Sequence, residues 1–310
     1  MFSVLDMFTI GVGPSSSHTV GPMCAAQAFA SSLEESGAVS RVGRIRVVLY
    51  GSLSLTGLGH GTDRAILAGL EGNVPATVDT DYLLSVRERC AHDGTIHVNG
   101  TNAIAYDDDG DMVFDRWKRL APHPNGMRFQ AFDAQGNIID EQVWYSIGGG
   151  FIRRGRIDDA LISNHEQTPA SSQSPEDSGN DETAEYGDGV PYPFVSCDGL
   201  IDLCRKHHLS IADVVWANET ARRSPQEVRD RLTRIWNVMS HCIDAGCASA
   251  TPTLPGGLDV PRRAPMMYRR LAANSDVLRR DRRISSALES SDSAWVALFA
   301  MSVSEENAGG

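Results

Sequence analysis

The feature that most constrains this chain is an acidic, polar segment from His165 to Gly189. The segment contains no lysine or arginine and almost no apolar side chains, whereas serine, proline, glycine, aspartate and glutamate crowd together. It cannot bury enough apolar surface to offset the entropy of ordering, so we predict a disordered acidic linker over residues 164–191. This linker joins an N-terminal domain, residues 1–163, to a C-terminal domain, residues 192–310.

The N-terminal domain mixes strand and helix signals, which predicts an α+β fold: a mixed sheet with flanking helices. Apolar residues alternate through Ile45, Val47 and Leu49 and predict a strand. Two further pairs of segments each enclose a turn signal and predict hairpins, which are residues 102–106 with 112–117 and residues 128–132 with 138–147. Helices are expected near residues 20–35 and 62–70.

After the linker the apolar residues recur at helical spacing, so the C-terminal domain is predicted to be all-α. Hydroxyl side chains mark three helix starts, at Ser196, at Ser210 with Asp213, and at Ser224 in a capping box with Glu227. Gly246 is predicted to end the last of these helices.

A later segment, Trp295 to Met301, is apolar nearly all round and would need burial on several sides. The chain stops at Gly310, soon after this segment. We therefore expect the helical domain to be incomplete and the chain to be a fragment truncated at its C-terminus.

Charge and composition exclude several classes of partner. The chain has 28 Lys and Arg against 40 Asp and Glu, a net charge of −12, which disfavours binding to nucleic acid or to anionic lipid. No stretch approaches the ~18 consecutive apolar residues of a membrane span. No basic region precedes the first apolar residues, which argues against a signal peptide. A cytoplasmic protein whose 6 cysteines are thiols is expected.

Two segments share a pattern of glycines, hydroxyl side chains and one histidine immediately before a predicted helix. The first is Gly11–Thr19, which contains Ser15, Ser16, Ser17 and His18, and the second is Gly57–Asp63, which contains His60. Helix N-termini offer unpaired N–H donors and partial positive charge, so either segment could hold a carboxylate or a phosphate. An imidazole beside such a ligand is well placed to act as an acid or a base.

Simpler interpretations of these segments stay open. Glycine runs alone are weak evidence for nucleotide binding, and the second segment lacks a P-loop lysine and a complete GxGxxG pattern. In the structural interpretation, Ser17 or Thr19 and Thr62 or Asp63 are helix N-caps, the glycines form turns, and each histidine is a capping or solvent residue.

The other candidate groups have mainly structural explanations. Four cysteines could be combined into a thiolate site, but their spacings differ from C-x₂-C, so buried core thiols are favoured and no metal ligand is assigned; they are Cys197, Cys204, Cys242 and Cys247. His207, His208 and His241 receive no function. The run that starts at His123 predicts a turn in which Asn125 could present its amide to a ligand.

Taken together, several motifs resemble those of the bacterial iron–sulfur L-serine dehydratase family. They are PSSSHT within the N-terminal 23 residues, YGSLSLTGLGHGTDRA, TNAIAYD, HPNGMRF, YSIGGGFI, and LPGGLDVPRRA near Leu254. The resemblance covers the whole chain except the acidic linker. PSSSHT followed by GLGHGTD is its most specific part.

The resemblance implies a reaction and a set of roles. L-serine would lose water by α,β-elimination and give pyruvate and ammonia, with a four-iron four-sulfur cluster and no pyridoxal phosphate. His60 matches the family's candidate base. Ser15, Ser16, Ser17, His18 and Thr19 match its substrate-side loop, and Asn125 is expected to bind substrate with them.

The resemblance also places the family's β domain in the N-terminal half and the first part of its helical catalytic domain after the linker. The cluster ligands would lie beyond Gly310, so this chain alone would be inactive. A homodimer that acts on L-serine is expected. The alternative is a serine-binding or dimerisation module without catalytic activity.

Deleting Glu166–Asp188 should leave the melting temperature unchanged, because the segment has little apolar surface to contribute and loop length itself has a weak effect on stability. Thermal unfolding of the deletion variant and of the intact chain measures the difference. A drop of many degrees would show that the segment packs on the protein.

Overall fold

A computed structural model describes residues 3–164, 189–254, 260–273 and 293–309 of the chain. Most of the predicted linker, residues 165–188, lies outside the described residues. The chain divides into two compact units. One draws its described residues from 1–9 and 168–241, and the other from 10–167 and 242–310.

The N-terminal region alternates strands and helices, as an α+β fold requires. Its strands are β1 (Arg44–Tyr50), β2 (Thr95–Val98), β3 (Asn102–Ala105), β4 (Met112–Asp115), β5 (Lys118–Leu120), β6 (Gly126–Phe132), β7 (Ile138–Gly148), β8 (Phe151–Arg154) and β9 (Leu161–Ser163). Its helices are α1 (Gly21–Glu35), α2 (Gly51–Thr56), α3 (Thr62–Leu70), α4 (Thr80–Asp93) and α5 (Asp108–Asp111). The helices expected near residues 20–35 and 62–70 are therefore confirmed.

The main sheet is mixed, as predicted. Its strand order is β2-β3-β1-β6-β7-β8, and β4 also pairs with β1. Strand β1 runs parallel to β3 and β4 and antiparallel to β6. Strands β5 and β9 form a separate two-stranded sheet.

One of the two predicted hairpins is confirmed and the other is wrong. Strands β6 and β7 form the expected antiparallel pair. Strands β3 and β4 instead lie along one edge of β1 and both run parallel to it, with Arg44 paired to Ala105 and Val47 paired to Met112. The turn between them is the short helix α5, whose Asp111 accepts a hydrogen bond from the Arg44 side chain. This bond attaches the turn to the start of β1. Strand β4 then runs in the same direction as β3, parallel to β1.

The core of the N-terminal region lies between the sheet and helices α1 and α3. Phe29 of α1 stacks on Phe129 of β6 with ring centroids 5.2 Å apart. Helices α1 and α3 approach closely at Gly69, where an added Cβ would lie 2.4 Å from the Met23 carbonyl oxygen and 2.9 Å from the Ala26 Cβ. A glycine at this position therefore sets the distance between the two helices.

The C-terminal region is mostly helical, which agrees with the prediction in its coarse form. Its described helices are α6 (Cys197–His207), α7 (Ile211–Thr220), α8 (Pro225–Ala248), α9 (Ala264–Ala272) and α10 (Ser293–Gly309). Ser196 caps α6, Ser210 and Asp213 form a capping box on α7, and Ser224 accepts a hydrogen bond from the Glu227 N–H in α8. The three predicted helix starts are confirmed.

The predicted helix end at Gly246 is wrong, because α8 continues to Ala248. A Cβ at Gly246 would lie 2.3 Å from the Ser302 Oγ. The hydroxyl of Ser302 donates to the Ile243 carbonyl at 2.8 Å. This glycine therefore lets α10 approach α8 closely and does not terminate a helix.

The apolar segment expected to need burial on several sides lies in α10. Among its described side chains, Trp295, Leu298 and Phe299 are buried along one stripe, while Val296 is 54% exposed. Its further buried residues are polar: Ser302 contacts α8, and Glu305 accepts the backbone N–H groups of Arg263 and Ala264 at the start of α9. No helix in the described ranges is long and apolar enough to cross a membrane.

Replacing Gly69 with alanine should destabilise the chain by about 1–3 kcal/mol, because the added methyl group overpacks the contact between α1 and α3. Chemical denaturation measures the change in the free energy of unfolding.

The matched control is Gly199→Ala in α6, where a Cβ meets no atom closer than 3.4 Å. This control should be neutral or slightly stabilising, since alanine favours helix more than glycine does. Equal effects of the two substitutions would contradict the close packing of α1 on α3.

Candidate functional site

The first histidine loop, within Gly11–Thr19, ends in a helical turn that runs directly into α1. Residues Ser16–Val20 form a π-helical turn, and the Ser15 Oγ caps it by accepting the His18 N–H at 3.1 Å. The N-cap is therefore Ser15. The expectation that Ser17 or Thr19 would be the N-cap is wrong. The Thr19 Oγ1 also accepts the Ser15 N–H at 3.2 Å within this loop.

The second histidine loop follows β1 after the short helix α2. Gly57–His60 form a 3₁₀ turn, and Gly61 adopts the left-handed conformation, with φ of 62°, just before α3. Gly61 itself occupies the N-cap position without a side-chain cap. The expectation that Thr62 or Asp63 would be the N-cap is therefore wrong.

Two threonine hydroxyls join the loops reciprocally. The Thr19 Oγ1 donates to the His60 carbonyl oxygen at 2.8 Å, and the Thr62 Oγ1 donates to the His18 carbonyl oxygen. Both threonines are almost completely buried, with exposures of 1% and 0%. The imidazole rings of His18 and His60 consequently lie 4.9 Å apart, centroid to centroid. The structure thus brings together two histidines that are far apart in the sequence.

The orientation of His60 fixes which of its nitrogens carries the proton. Its Nδ1 lies 2.8 Å from the carbonyl oxygen of Thr56. A carbonyl oxygen accepts but cannot donate, so in the neutral ring Nδ1 carries the hydrogen and Nε2 carries the lone pair. Among the described residues nothing hydrogen-bonds to this Nε2, and the half-buried ring can therefore accept a proton from a ligand.

His18 has a serine hydroxyl on each ring nitrogen. Its Nδ1 lies 2.9 Å from the Ser17 Oγ, and its Nε2 lies 3.0 Å from the Ser52 Oγ. Burial lowers the pKa of His18, and the neighbouring His60 lowers it further, whereas a backbone hydrogen bond with Ser52 acts in the opposite direction. The ring is therefore neutral near neutral pH and serves as a hydrogen-bonding element.

Asp63, the last residue of the second motif, has a structural partner. Its carboxylate is 3% exposed, and its Oδ2 lies 2.5 Å from Arg87 in α4. Arg87 also forms a bidentate pair with Asp108. The motif aspartate thus anchors the first turn of α3 to α4.

The predicted turn at His123 packs against the start of α2. The Ser52 N–H donates to the Pro124 carbonyl oxygen at 2.9 Å, and the His123 Nδ1 accepts the Asn125 N–H at 3.1 Å. The amide of Asn125 donates to the Ser146 carbonyl oxygen at 3.2 Å. One amide donor of Asn125 is therefore used within the fold, and its contact with a ligand stays a prediction.

The cysteines occupy different environments. Cys247 is buried and its pKa is raised by burial, as expected of a core thiol. Cys204 and Cys242 are half-buried, whereas Cys197 is exposed, so the core-thiol prediction is wrong for Cys197. Within the described ranges, no group of three or more His, Cys, Asp and Glu side chains is arranged to hold a metal ion.

Sequence comparison now places the two loops in a family. The family model of the serine dehydratase beta chain matches residues 3–156, and that of the serine dehydratase alpha chain matches residues 206–310. The chain belongs to the serine dehydratase family. Both histidine loops lie within the beta-chain match, and the resemblance expected from the motifs is confirmed.

Curated relatives carry the name L-serine dehydratase. The Streptomyces coelicolor protein is 40% identical over 308 residues, which cover 99% of this chain and 61% of the relative. L-serine dehydratase 1 of Escherichia coli is 38% identical over 314 residues, and the Haemophilus influenzae protein is 35% identical over 311 residues; each match covers 100% of this chain and 61% of the relative. The chain thus spans about three fifths of the length of these relatives.

Sequence reasoning gave no site role to three residues that build the site, Ser52, Thr56 and Thr62, and named Thr62 only as a possible helix cap. All three lie inside one family motif, where nothing in the sequence distinguishes Ser52 and Thr56 from the neighbouring hydroxyl residues. Thr56 acts through its backbone carbonyl, which every residue has. A sequence signal was available only for Thr62, as a hydroxyl residue at a helix start.

Replacing Thr19 or Thr62 with valine should cost about 1–3 kcal/mol each, because each substitution leaves a buried carbonyl without its donor. The double variant should cost less than the sum, since the two bonds hold the same pair of loops. Free energies of unfolding from chemical denaturation complete the double-mutant cycle.

Thr220→Val, which removes a half-buried bond within α7, is the control and should cost less than either site substitution. If the double variant loses as much free energy of unfolding as the two single variants together, the two bonds act independently. That result would contradict the idea that they hold the loops as one unit.

Proposed function

We propose that this chain supplies the proton-abstracting part of an L-serine ammonia-lyase, which converts L-serine to pyruvate and ammonia. The observation that carries the proposal is the His60 Nε2, to which no described residue hydrogen-bonds, while the other ring nitrogen is fixed by the Thr56 carbonyl. The family and the names of the curated relatives supply the substrate. Because those relatives are enzymes by name, a purely regulatory serine-binding module is the weaker alternative.

His60 is suited to remove the α-proton of serine. A neutral imidazole accepts a proton through the ring nitrogen that carries its lone pair, which is the role required of a general base. The hydrogen bond from Nδ1 to Thr56 stabilises the imidazolium that forms when Nε2 takes the proton. The neutral state of His18 avoids a second positive charge beside that imidazolium.

The first loop is suited to hold the substrate carboxylate. At the start of the turn that leads into α1, the backbone N–H groups of Ser16 and Ser17 have no hydrogen-bond acceptor among the described residues. Free N–H groups at a helix N-terminus attract anions through both hydrogen bonding and partial positive charge. A carboxylate bound there would lie beside His18, whose own backbone is tied to α3 through Thr62.

The proposed reaction balances without an external oxidant or reductant. The α-carbon of serine loses its proton to His60, the β-carbon loses its hydroxyl as water after protonation, and the electron pair of the C–H bond forms the double bond of 2-aminoacrylate. This enamine tautomerises to the imine. One water then hydrolyses the imine to pyruvate and ammonia.

The family resemblance implies a four-iron four-sulfur cluster that would act on the leaving hydroxyl. The described residues do not fit that group, because they contain no metal-binding group of three or more suitable side chains and their four candidate thiols range from buried to exposed. Departure of the hydroxyl is therefore assigned to no residue of the described chain.

Organisation and assembly follow the family by resemblance. We extend the proposal to a β domain over residues 1–163 and a helical catalytic domain over residues 192–310, joined by the acidic segment. A homodimer is part of the same proposal. The two separate family matches, to a beta chain and to an alpha chain, support the division.

In a protein extended to the length of the relatives, His60→Ala should lower kcat for L-serine by about 10²–10⁴-fold, the usual contribution of a general base. Ser16→Ala keeps the backbone N–H and should raise KM by less than about tenfold, as expected for loss of one neutral hydrogen bond. A pyruvate assay measures both constants.

His92→Ala changes an exposed histidine of α4 and is the control. If the unsubstituted protein forms no pyruvate from serine, the proposed function is wrong. If it is active and His60→Ala retains near-normal kcat, the base lies elsewhere.

A further inference from the structure

A cavity of about 610 Å³ lies within the compact unit that contains helices α6 and α7. Three segments line it: residues 3–7 near the N-terminus, the chain that enters α6, and helix α7 with the turn that follows it. Every lining residue belongs to this unit, whereas both histidine loops belong to the other one. The cavity is therefore a feature separate from the histidine site.

The walls of this cavity are mainly apolar. Six apolar residues line it, namely Val4, Met7, Val190, Phe194, Val195 and Val215. Two of them, Met7 and Val195, are largely exposed, so apolar surface faces the space that an occupant would fill. A concave space of roughly 300–1,000 Å³ with apolar walls and few polar groups is typical of small-molecule sites. The size and lining of the cavity therefore fit a small, partly apolar ligand.

Glu219 fixes the N-terminal wall of the cavity to α7. The Ser3 hydroxyl and the Val4 N–H each donate to its carboxylate at 2.8 Å, and Arg223 donates to it at 2.7 Å. Glu219 is buried, and these three donors satisfy its carboxylate within the fold. The wall is thus formed by contacts of the chain itself, and the carboxylate of Glu219 is not offered to a ligand.

Among the charged side chains that line the cavity, one cation has no partner. Glu219 pairs with Arg223, and Asp6, the other acidic lining residue, lies 3.9 Å from Arg231. The exposed guanidinium of Arg222 contacts no carboxylate and no other hydrogen-bond acceptor among the described residues. A guanidinium binds a carboxylate through two parallel hydrogen bonds. The polar group that complements this cavity is therefore an anion.

The charge of that anion is limited by its surroundings. The cavity offers a single unpartnered cation, and two acidic residues, Asp6 and Glu219, line the same space. A phosphate or a dicarboxylate would place excess negative charge beside them, and like charges at close range repel each other. A single carboxylate matches the one guanidinium.

We propose that this cavity is a binding site for a monocarboxylate with a branched or aromatic apolar body. The carboxylate pairs with Arg222, and the apolar body lies against the walls that include Phe194 and Val215. The proposal does not rest on the proposed function, because it concerns a different unit of the chain. Burial of the apolar body provides affinity, and the guanidinium selects acids over the corresponding amides.

Cys197 reports occupancy of the cavity independently of catalytic activity. It lines the cavity and is exposed, whereas the other five cysteines are half-buried or buried. A bound ligand would exclude a small alkylating reagent such as iodoacetamide from this thiol. Mass spectrometry of the peptide that contains Cys197 measures the rate of alkylation in the protein extended to the length of the relatives.

The probe is isocaproate, a branched monocarboxylate. It should slow alkylation of Cys197 in a saturable manner. Isocaproamide, which has the same shape without the charge, and acetate, which lacks the apolar body, should protect only weakly.

Arg222→Ala should raise the isocaproate concentration for half-maximal protection by roughly ten- to a hundredfold, as for loss of hydrogen bonds to a charged group. Arg222→Lys keeps the charge but not the paired hydrogen bonds and should have an intermediate effect. Arg234→Ala removes an exposed arginine of α8 that does not line the cavity, and this control should leave protection unchanged.

Three outcomes would overturn the proposal. If isocaproate gives no protection, or if Cys197 does not react in the extended protein, the cavity is not a ligand site. If isocaproamide or acetate protects as well as isocaproate, the cavity does not select an apolar monocarboxylate. If Arg222→Ala matches Arg234→Ala, the guanidinium does not bind the carboxylate. The proposed function is tested separately by pyruvate formation, so its failure would leave these results unaffected.

Discussion

The site depends on the reciprocal exchange of hydrogen bonds between two loops, in which Thr19 binds the backbone of His60 and Thr62 binds the backbone of His18. Each bond fixes a backbone oxygen at the histidine of the opposite loop, so the two loop backbones cannot separate without breaking both bonds. Both threonines are buried, and water therefore does not compete for these bonds. The two main-chain bonds thus place the histidine backbones side by side, and the ring contacts with Ser17, Ser52 and Thr56 then orient the imidazoles.

The surrounding fold holds the two histidine loops in position relative to each other. Each loop leads into a helix, and those helices, α1 and α3, approach closely because Gly69 has no side chain. Gly21 plays the same part between α1 and β7, where an added Cβ would lie 2.0 Å from the Ser146 Oγ. The ion pair of Asp63 with Arg87 holds the start of α3 on α4. Close helix packing therefore determines the distance between groups that belong to the site.

The sequence was sufficient for features that depend on local periodicity, such as α1, α3, the β6–β7 hairpin and the capped starts of α6 to α8. Prediction failed where the same sequence pattern occurs in two different structures. Alternating residues are the same in parallel and antiparallel strands, which is why β3 and β4 were misassigned, and a glycine such as Gly246 marks either a helix end or a close contact. The motifs identified His18 and His60, but the partners of their ring nitrogens, Ser52 and the Thr56 carbonyl, could be identified only from the fold.

The most direct test of this account is the structure of the protein, extended to the length of its relatives, with L-serine bound. The account predicts that the α-carbon of serine lies about 3–3.5 Å from the His60 Nε2, the separation of groups poised to react. It also predicts that the carboxylate accepts the N–H groups of Ser16 and Ser17. Serine bound with another basic side chain at its α-carbon, and with His60 turned away, would contradict the account.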